Sequence, residues 1–449
     1  MRTEPVLRVP WGLAERLRAL LHPEPFQERF AFAVARPLRT ERGAPPTALV
    51  EQLLTLDPED YAHTAAGGLS LTDAASARLN RWAVQVARQG WLAVHLHSHP
   101  PGVDRFSTTD DAAESRLSQW LAEQGVPGYW SLVWPTGGVP RARLWTRGQT
   151  QPGRLFLGLA PMVADPSSDG SPALERQRAF GPGLRTAADQ MRVGVLGVGG
   201  LGLLVVEQLA RAGFRRFVLI DPDTVEETNL NRLPGVTRRD LGRLKVRVAK
   251  RMIRQASVSL GLAPEISALA HDIYRSGAAQ RALARCDLIL AVTDNDLSRT
   301  MALQLALDHG REYLQAGTDI TLAEDGAIVG LRAEVTGAEI GRYCPICSGR
   351  LSPGQASIEA RAYAGGEVAA RALSDGYVPD VAAPAVMSLN AVTAGLLVTE
   401  IQRRTAGLGV RDLLQVDLQS GTLVARERLS MGTDCRVCGA VNATPAVAT

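Results

Sequence analysis

A glycine-rich turn, GVGGLG at residues 197–202, is followed by polar residues of the types that handle phosphate: Asp221, Asp223, Asn229, Arg232, Lys245 and Asp294. Gly197, Gly199, Gly200 and Gly202 let backbone approach a phosphate closely, although such a turn alone is a weak signal. Its context strengthens it. The apolar run 193–196 before it reads as a buried strand, and the run 203–206 after it as the start of a helix. A second apolar run, 217–220, ends in Asp221, a carboxylate at a strand end where nucleotide-binding folds meet ribose hydroxyls. Dinucleotide-dependent oxidoreductases share that much. They do not account for Arg232 and Lys245, or for Asp294 after the buried run 288–292. Two cations can neutralise charge developing on phosphorus while a carboxylate holds magnesium, so the set points to ATP with magnesium.

A second constellation lies upstream. His97, His99, Ser107 and Asp110 surround one turn of chain, and the run 91–94 before them reads as a strand, so His95, His97 and His99 share a face. Two imidazoles and a carboxylate leave a fourth zinc position for water, the arrangement of a catalytic ion. His95 falls one repeat too early for the pattern and is assigned to packing or to a supporting place behind the ligands. The cysteines give an independent signal. Cys344 with Cys347 and Cys435 with Cys438 form two C-x-x-C knuckles, which point to a structural four-thiolate zinc site rather than disulfides. Cys286 reads as a small buried hydrophobe.

At the turn and the polar residues after it, the chain resembles the ThiF family, adenylyltransferases that activate the C-terminal glycine of ubiquitin-like proteins. The resemblance implies that Asp221 binds ribose, that Asn229, Arg232 and Lys245 handle the phosphates, and that Asp294 holds magnesium. Members also place an arginine ahead of the first strand, where it reaches the ATP of a partner subunit. Arg176 and Arg178 both suit that role, with Arg176 preferred, and a homodimer follows from it. The family commonly carries the four-thiolate zinc. Thioester-forming relatives use a further cysteine after the first knuckle, and none stands between Ser348 and Asp434. Either the acyl adenylate is handed to an external sulfur or amine nucleophile, with a conjugating enzyme or a sulfurtransferase as partner, or a knuckle cysteine is not a zinc ligand; the first needs fewer assumptions and is expected.

The His97-Ser98-His99-Pro100 segment with Ser107 and Asp110 resembles the JAB, or JAMM, metalloproteases, which cleave after the C-terminal glycine of ubiquitin-like proteins. That resemblance implies a catalytic zinc on His97, His99 and Asp110, with Ser107 stabilising the oxyanion. It also requires an upstream glutamate as general base. Glu28, leading into the strand-like run 30–34, is preferred over Glu51.

The elements that must position these groups separate into two sets. A breaker-rich stretch, 165–172, lies between them. Residues 1–164 are expected to form a JAB/MPN-type α+β metalloprotease domain, 165–173 a linker, and 174–449 a Rossmann-like ThiF-type adenylation domain with a four-cysteine zinc site, an α/β chain overall. Late strands are read at 129–133 and 143–145, and helices at 111–123, 244–255 and 297–309. With 49 basic and 46 acidic residues the chain has almost no net field, and nucleic acid is not an expected partner. The apolar stretch 382–401 contains Pro384, Ser388, Asn390 and Glu400 and reads as a buried helix rather than a membrane span. The start carries no signal-peptide pattern, and a cytoplasmic protein is expected. Together these readings imply ATP-dependent adenylation of a ubiquitin-like protein or peptide ending in glycine, coupled to zinc-dependent trimming or removal of that tag. The alternatives are an adenylation step of thiocarboxylate formation in cofactor or sulfur metabolism, and a regulatory protein whose protease-like domain only binds.

Overall fold

The computed structural model describes residues 4–23, 27–38, 45–65, 68–163, 171–364, 368–369, 384–427, 429 and 435–439. The chain divides into two units, Met1–Pro166 and Ser167–Ala440.

The first unit contains, in order, β1 (Val6–Val9), α1 (Trp11–Leu21), β2 (Phe30–Pro37), β3 (Thr47–Leu54), β4 (Tyr61–Ala65), β5 (Gly68–Leu71), α2 (Asp73–Arg88), β6 (Leu92–His99), α3 (Thr108–Glu123), β7 (Tyr129–Pro135), β8 (Arg141–Thr146), β9 (Gln149–Leu157) and β10 (Ala160–Met162). Eight of the strands form one sheet in the order β1-β3-β2-β6-β7-β8-β9-β10, and β1 also pairs with β9, so the sheet closes on itself. Burial on both faces drives that closure. Leu7, Leu17, Leu21, Val50, Leu96 and Trp130 pack into one core, while Val34, Trp82, Val86, Tyr129 and Trp145 pack into another. β6 lies inside the sheet, antiparallel to β2 and parallel to β7, with His97 opposite Phe30 and Val133. The strand expected before the histidines thus runs through them.

The second unit contains α4 (Gly181–Gln190), β11 (Arg192–Leu196), α5 (Gly200–Arg211), β12 (Arg216–Ile220), α6 (Lys245–Ser259), β13 (Glu265–Leu269), α7 (Gly277–Ala284), β14 (Leu288–Ala291), α8 (Asp296–Asp308), β15 (Glu312–Leu322), β16 (Ile328–Ala338), α9 (Pro353–Ala364), α10 (Met387–Thr405), β17 (Leu413–Asp417) and β18 (Thr422–Arg426). Its sheet runs β13-β12-β11-β14-β15-β16-β17-β18; β13 to β15 are parallel neighbours in that order, and β16 to β18 continue it antiparallel. β11 and β14 are apolar nearly throughout because helices cover both faces. Of the expected linker, 165–173, only the last residues are described. Ser171 donates its hydroxyl to Leu260 O (2.7 Å) and caps a 3-10 segment, Pro172–Phe180, while residues 165–170 lie outside the described residues. Met387–Thr405 carries most of the apolar stretch, and among the described residues no helix is long and apolar enough to cross a membrane.

Candidate functional site

β11 ends at Leu196, the turn begins at Gly197, and α5 starts at Gly200, so the turn's N–H groups gather at a helix N-terminus. Each glycine is required for its own reason. Gly197 adopts φ +90°, and a Cβ on Gly202 would stand 2.2 Å from the Gly197 carbonyl oxygen. At Gly200 a Cβ would meet Asn390 Nδ2 at 2.7 Å. Around Gly199 there is no protein atom within 4 Å of that position, which leaves the top of the turn open to a ligand.

Asp221 follows β12 and is buried. Its carboxylate accepts from Val198 N (2.8 Å) and Asp223 N (2.9 Å), so the acid at the strand end also fixes the turn. Burial raises its pKa above the ordinary value, against the pull of the Val198 N–H and of Lys245. Lys245, at the start of α6, pairs with Asp223 at 2.7 Å. Asn229 is buried and accepts from Glu226 N, and Arg232 donates to Thr228 O at 2.6 Å. Asp294 is exposed just beyond β14, beside Thr293, whose buried hydroxyl has no hydrogen-bond partner. An orphaned hydroxyl and a free carboxylate beside an open glycine turn fit a bound triphosphate and its metal. Of the two arginines ahead of β11, Arg178 pairs with Glu175 at 2.8 Å, and Arg176 is exposed.

The four knuckle thiols converge although Cys347 and Cys435 are far apart in sequence. Cys344 Sγ lies 3.8 Å from Cys435 Sγ, and Cys347 Sγ 3.8 Å from Cys438 Sγ. Zn–S bonds of about 2.3 Å in a tetrahedron require sulfurs roughly 3.8 Å apart, so the donors fit zinc. Cys286 is fully buried, and burial pushes its thiol up to about 12.

In the first unit, β6 and the start of α3 meet at the histidines. His97 Nε2 is 3.3 Å from Asp110 Oδ1, and His99 Nε2 is 3.3 Å from Asp110 Oδ2. His97 Nε2 has no hydrogen-bond partner despite its burial, which suits a metal ligand. A capping box aims the carboxylate: Ser107 Oγ accepts from Asp110 N (3.1 Å), and Asp110 Oδ2 accepts from Ser107 N (2.6 Å). The Ser107 hydroxyl donates to that same oxygen at 2.7 Å, so here it is turned to Asp110. Glu28 and Glu51 occupy different surroundings. Burial raises the Glu28 pKa, opposed by the fields of His99 and His97, so Glu28 lies within electrostatic range of the cluster. Glu51, inside β3, is paired with Arg36 at 2.6 Å. His95 is half-buried against Phe30 and Phe32, with Nδ1 3.8 Å from Glu114 Oε1, and desolvation lowers its pKa to about 3.

Residues 174–437 match the ThiF family. The chain belongs to the ThiF family. Over 88 residues it is 39% identical to the NEDD8-activating enzyme E1 catalytic subunit of Arabidopsis thaliana, 19% of this chain and 19% of that protein. Over 121 residues it is 34% identical to the adenylyltransferase and sulfurtransferase UBA4 of Eremothecium gossypii, 27% of this chain and 26% of that protein. The matched region spans less than a third of either relative. Among solved structures, E. coli MccB with ATP aligns over 60% of this chain and 74% of that one, at 18% identity and a TM-score of 0.45.

Two groups at the ThiF-family turn escaped the sequence reading. Asn390, buried on α10, brings its amide beside Gly200 and accepts from the Thr318 hydroxyl at 3.4 Å. Arg299 on α8 donates twice to Thr293 O, at 2.8 and 2.6 Å, and holds the strand end that carries Asp294. Neither stands in a short motif. Asn390 was signalled only as a polar side chain in a largely apolar stretch, and Arg299, among the other polar residues of α8, carried no such signal.

Proposed function

We propose that the ThiF-family unit adenylates the C-terminal glycine of a ubiquitin-like protein or peptide, and that the first unit is a JAB/JAMM-type zinc peptidase acting on the same tag. The observation that carries the adenylation reading is the open face at Gly199, flanked by Asp221, Lys245 and the strand end at Asp294. Asp221 would take the ribose, Asn229, Arg232 and Lys245 the phosphates, and Asp294 the magnesium. A carboxylate oxygen of the terminal glycine attacks the α-phosphorus, the bond from that phosphorus to the bridging oxygen breaks, and pyrophosphate leaves. Arg232 and Lys245 neutralise the charge that moves onto the leaving group. Lys245 must trade Asp223 for phosphate, and the exposed position of Asp223 makes that exchange inexpensive. Val329, Leu418 and Leu423 are exposed on one side at one end of β16 to β18 and offer an apolar face to a protein substrate. Arg176 would reach the ATP of a second subunit in a homodimer.

In the first unit, His97, His99 and Asp110 would hold zinc, which acidifies a water molecule and polarises a scissile carbonyl. Glu28 would accept the proton, and its raised pKa suits a base that must pass the proton on to a leaving amine. Ser107 must swing its hydroxyl off Asp110 to meet an oxyanion. The two halves share a chemical logic, because hydrolysis frees the carboxylate that adenylation consumes.

The chain has no cysteine between Ser348 and Asp434, and the Cys286 thiol is inert at neutral pH, so the product expected on this protein is an adenylate without a thioester. Intact mass spectrometry after incubation with ATP and a glycine-ended carrier should find the carrier adenylate and no reductant-sensitive adduct on the enzyme. A thiol-labile adduct mapped to Cys344 or Cys347 would overturn both the external-nucleophile reading and the zinc assignment. Sulfur as the final acceptor is the second reading, favoured by the sulfurtransferase named in the Eremothecium relative.

A further inference from the structure

α6 turns Arg247, Lys250, Arg251 and Arg254 into a groove of about 430 Å³ that Gln255 and Ala268 complete. Arg251 is neutralised there, with its two terminal nitrogens 2.6 and 3.0 Å from the Asp240 carboxylate. Among the described residues, Arg247, Lys250 and Arg254 have no carboxylate within ion-pair distance. Three uncompensated cations along one helix face attract anions, yet the near-neutral total charge hides them.

The opposite wall is a sheet edge. Among the described residues β13 is the terminal strand and pairs only with β12. Glu265 N donates to Arg215 O at 2.8 Å and Asp221 N to Leu269 O at 3.2 Å, so the odd-numbered residues of β13 bond toward β12. By the alternation of a parallel ladder, the N–H and C=O of Ile266 and Ala268 face away from the sheet. Such an edge is a template for an added strand. The β12-α6-β13 crossover sets α6 antiparallel to β13, so the cations run beside this edge. Same-facing side chains on a strand stand about 6.6 Å apart, and helix positions four apart advance about 6 Å. Lys250 and Arg254 are four apart and Arg247 stands three before Lys250, a step of about 4.5 Å, so carboxylates at alternate positions of an added strand would match the Lys250–Arg254 spacing and stay within side-chain reach of Arg247.

We propose that this groove docks an extended acidic peptide segment of a partner protein, added as a strand on the free edge of β13. The backbone edge distinguishes this ligand from nucleic acid, because a peptide satisfies the cations and the N–H and C=O of Ile266 and Ala268 together, whereas a phosphate chain satisfies only the cations. The inference is independent of the adenylation chemistry proposed above.

The test uses the full chain and a labelled peptide alternating Glu and Thr, followed by fluorescence anisotropy, with a Lys/Thr peptide and a single-stranded oligonucleotide as comparison probes. The acidic peptide should bind saturably and more weakly as salt rises, and the Lys/Thr peptide should not bind. The double variant Arg247→Glu/Arg254→Glu should weaken the acidic peptide by about tenfold. Ala268→Pro removes one outward N–H without touching the pairing to β12, and should also weaken the peptide while leaving all four cations in place. Circular dichroism melts of both variants show that each is folded. Absence of saturable binding by the acidic peptide overturns the proposal. So does an oligonucleotide that binds more tightly than the peptide, or acidic-peptide affinity unchanged by Ala268→Pro.

Discussion

A methyl group at Gly202 would sit 2.2 Å from the Gly197 carbonyl oxygen, whereas one at Gly199 would meet no protein atom within 4 Å. Two substitutions in one turn should therefore fail in different ways. Gly202→Ala must displace backbone and should cost about 1–3 kcal/mol of stability, read as a lower melting temperature. Gly199→Ala should melt like the parent yet bind ATP at least about tenfold more weakly, because the methyl occupies the space left for phosphate. Unchanged ATP affinity in folded Gly199→Ala would show that the turn is not the phosphate cradle. At the same scale, the sequence left Glu28 and Glu51 as alternatives for the base. Spacing could not separate them, since the difference lies across strands: Glu51 is held by Arg36 from β2, while Glu28 feels the histidines of β6.

Elements decide how firmly each group is held. The two knuckles close a four-sulfur site with no open position, whereas β6 and the α3 cap present two imidazoles and one carboxylate. Mild chelation should accordingly abolish peptidase activity while sparing pyrophosphate exchange, and metal analysis should find about two zinc ions per untreated chain. A single zinc that survives replacement of Cys344, Cys347, Cys435 and Cys438 would contradict the structural site. The loop before α6 is clipped by Asp240, which accepts from Thr237 N and pairs with Arg251. Its hydrogen bond from Arg251 lowers its pKa from 3.8 to about 2. A depressed acid stabilises the fold above its unfolded value and loses that contribution as pH falls through the folded one. Wild type should therefore melt above Asp240→Asn near neutral pH, with the gap closing between about pH 4 and pH 2. A gap that stays constant down to pH 2 would show that the Asp240 charge contributes nothing to the clip.

Across the whole molecule, what was legible in the sequence was what local pattern encodes. The strand-turn-helix at Gly197, the histidines and carboxylate from His97 to Asp110 and the cysteine pairs each fall within a short stretch, and the elements formed where periodicity placed them. Asn390 and Arg299 were not legible, because only the packing of α10 and α8 against the sheet brings them to the turn. The basic groove was hidden by an overall charge of +3, which averages over its three unpaired cations. The central claim, that the ThiF-family unit activates a terminal carboxylate with ATP, is tested most directly by carrier-dependent exchange of labelled pyrophosphate into ATP. The wild-type chain should exchange label only when a carrier with a free C-terminal glycine is present, and Arg232→Ala or Asp294→Ala should lower the rate about a hundredfold, the scale of ~3 kcal/mol lost at a charged transition state. Exchange that ignores the carrier, or that persists at the wild-type rate in both variants, would contradict the claim.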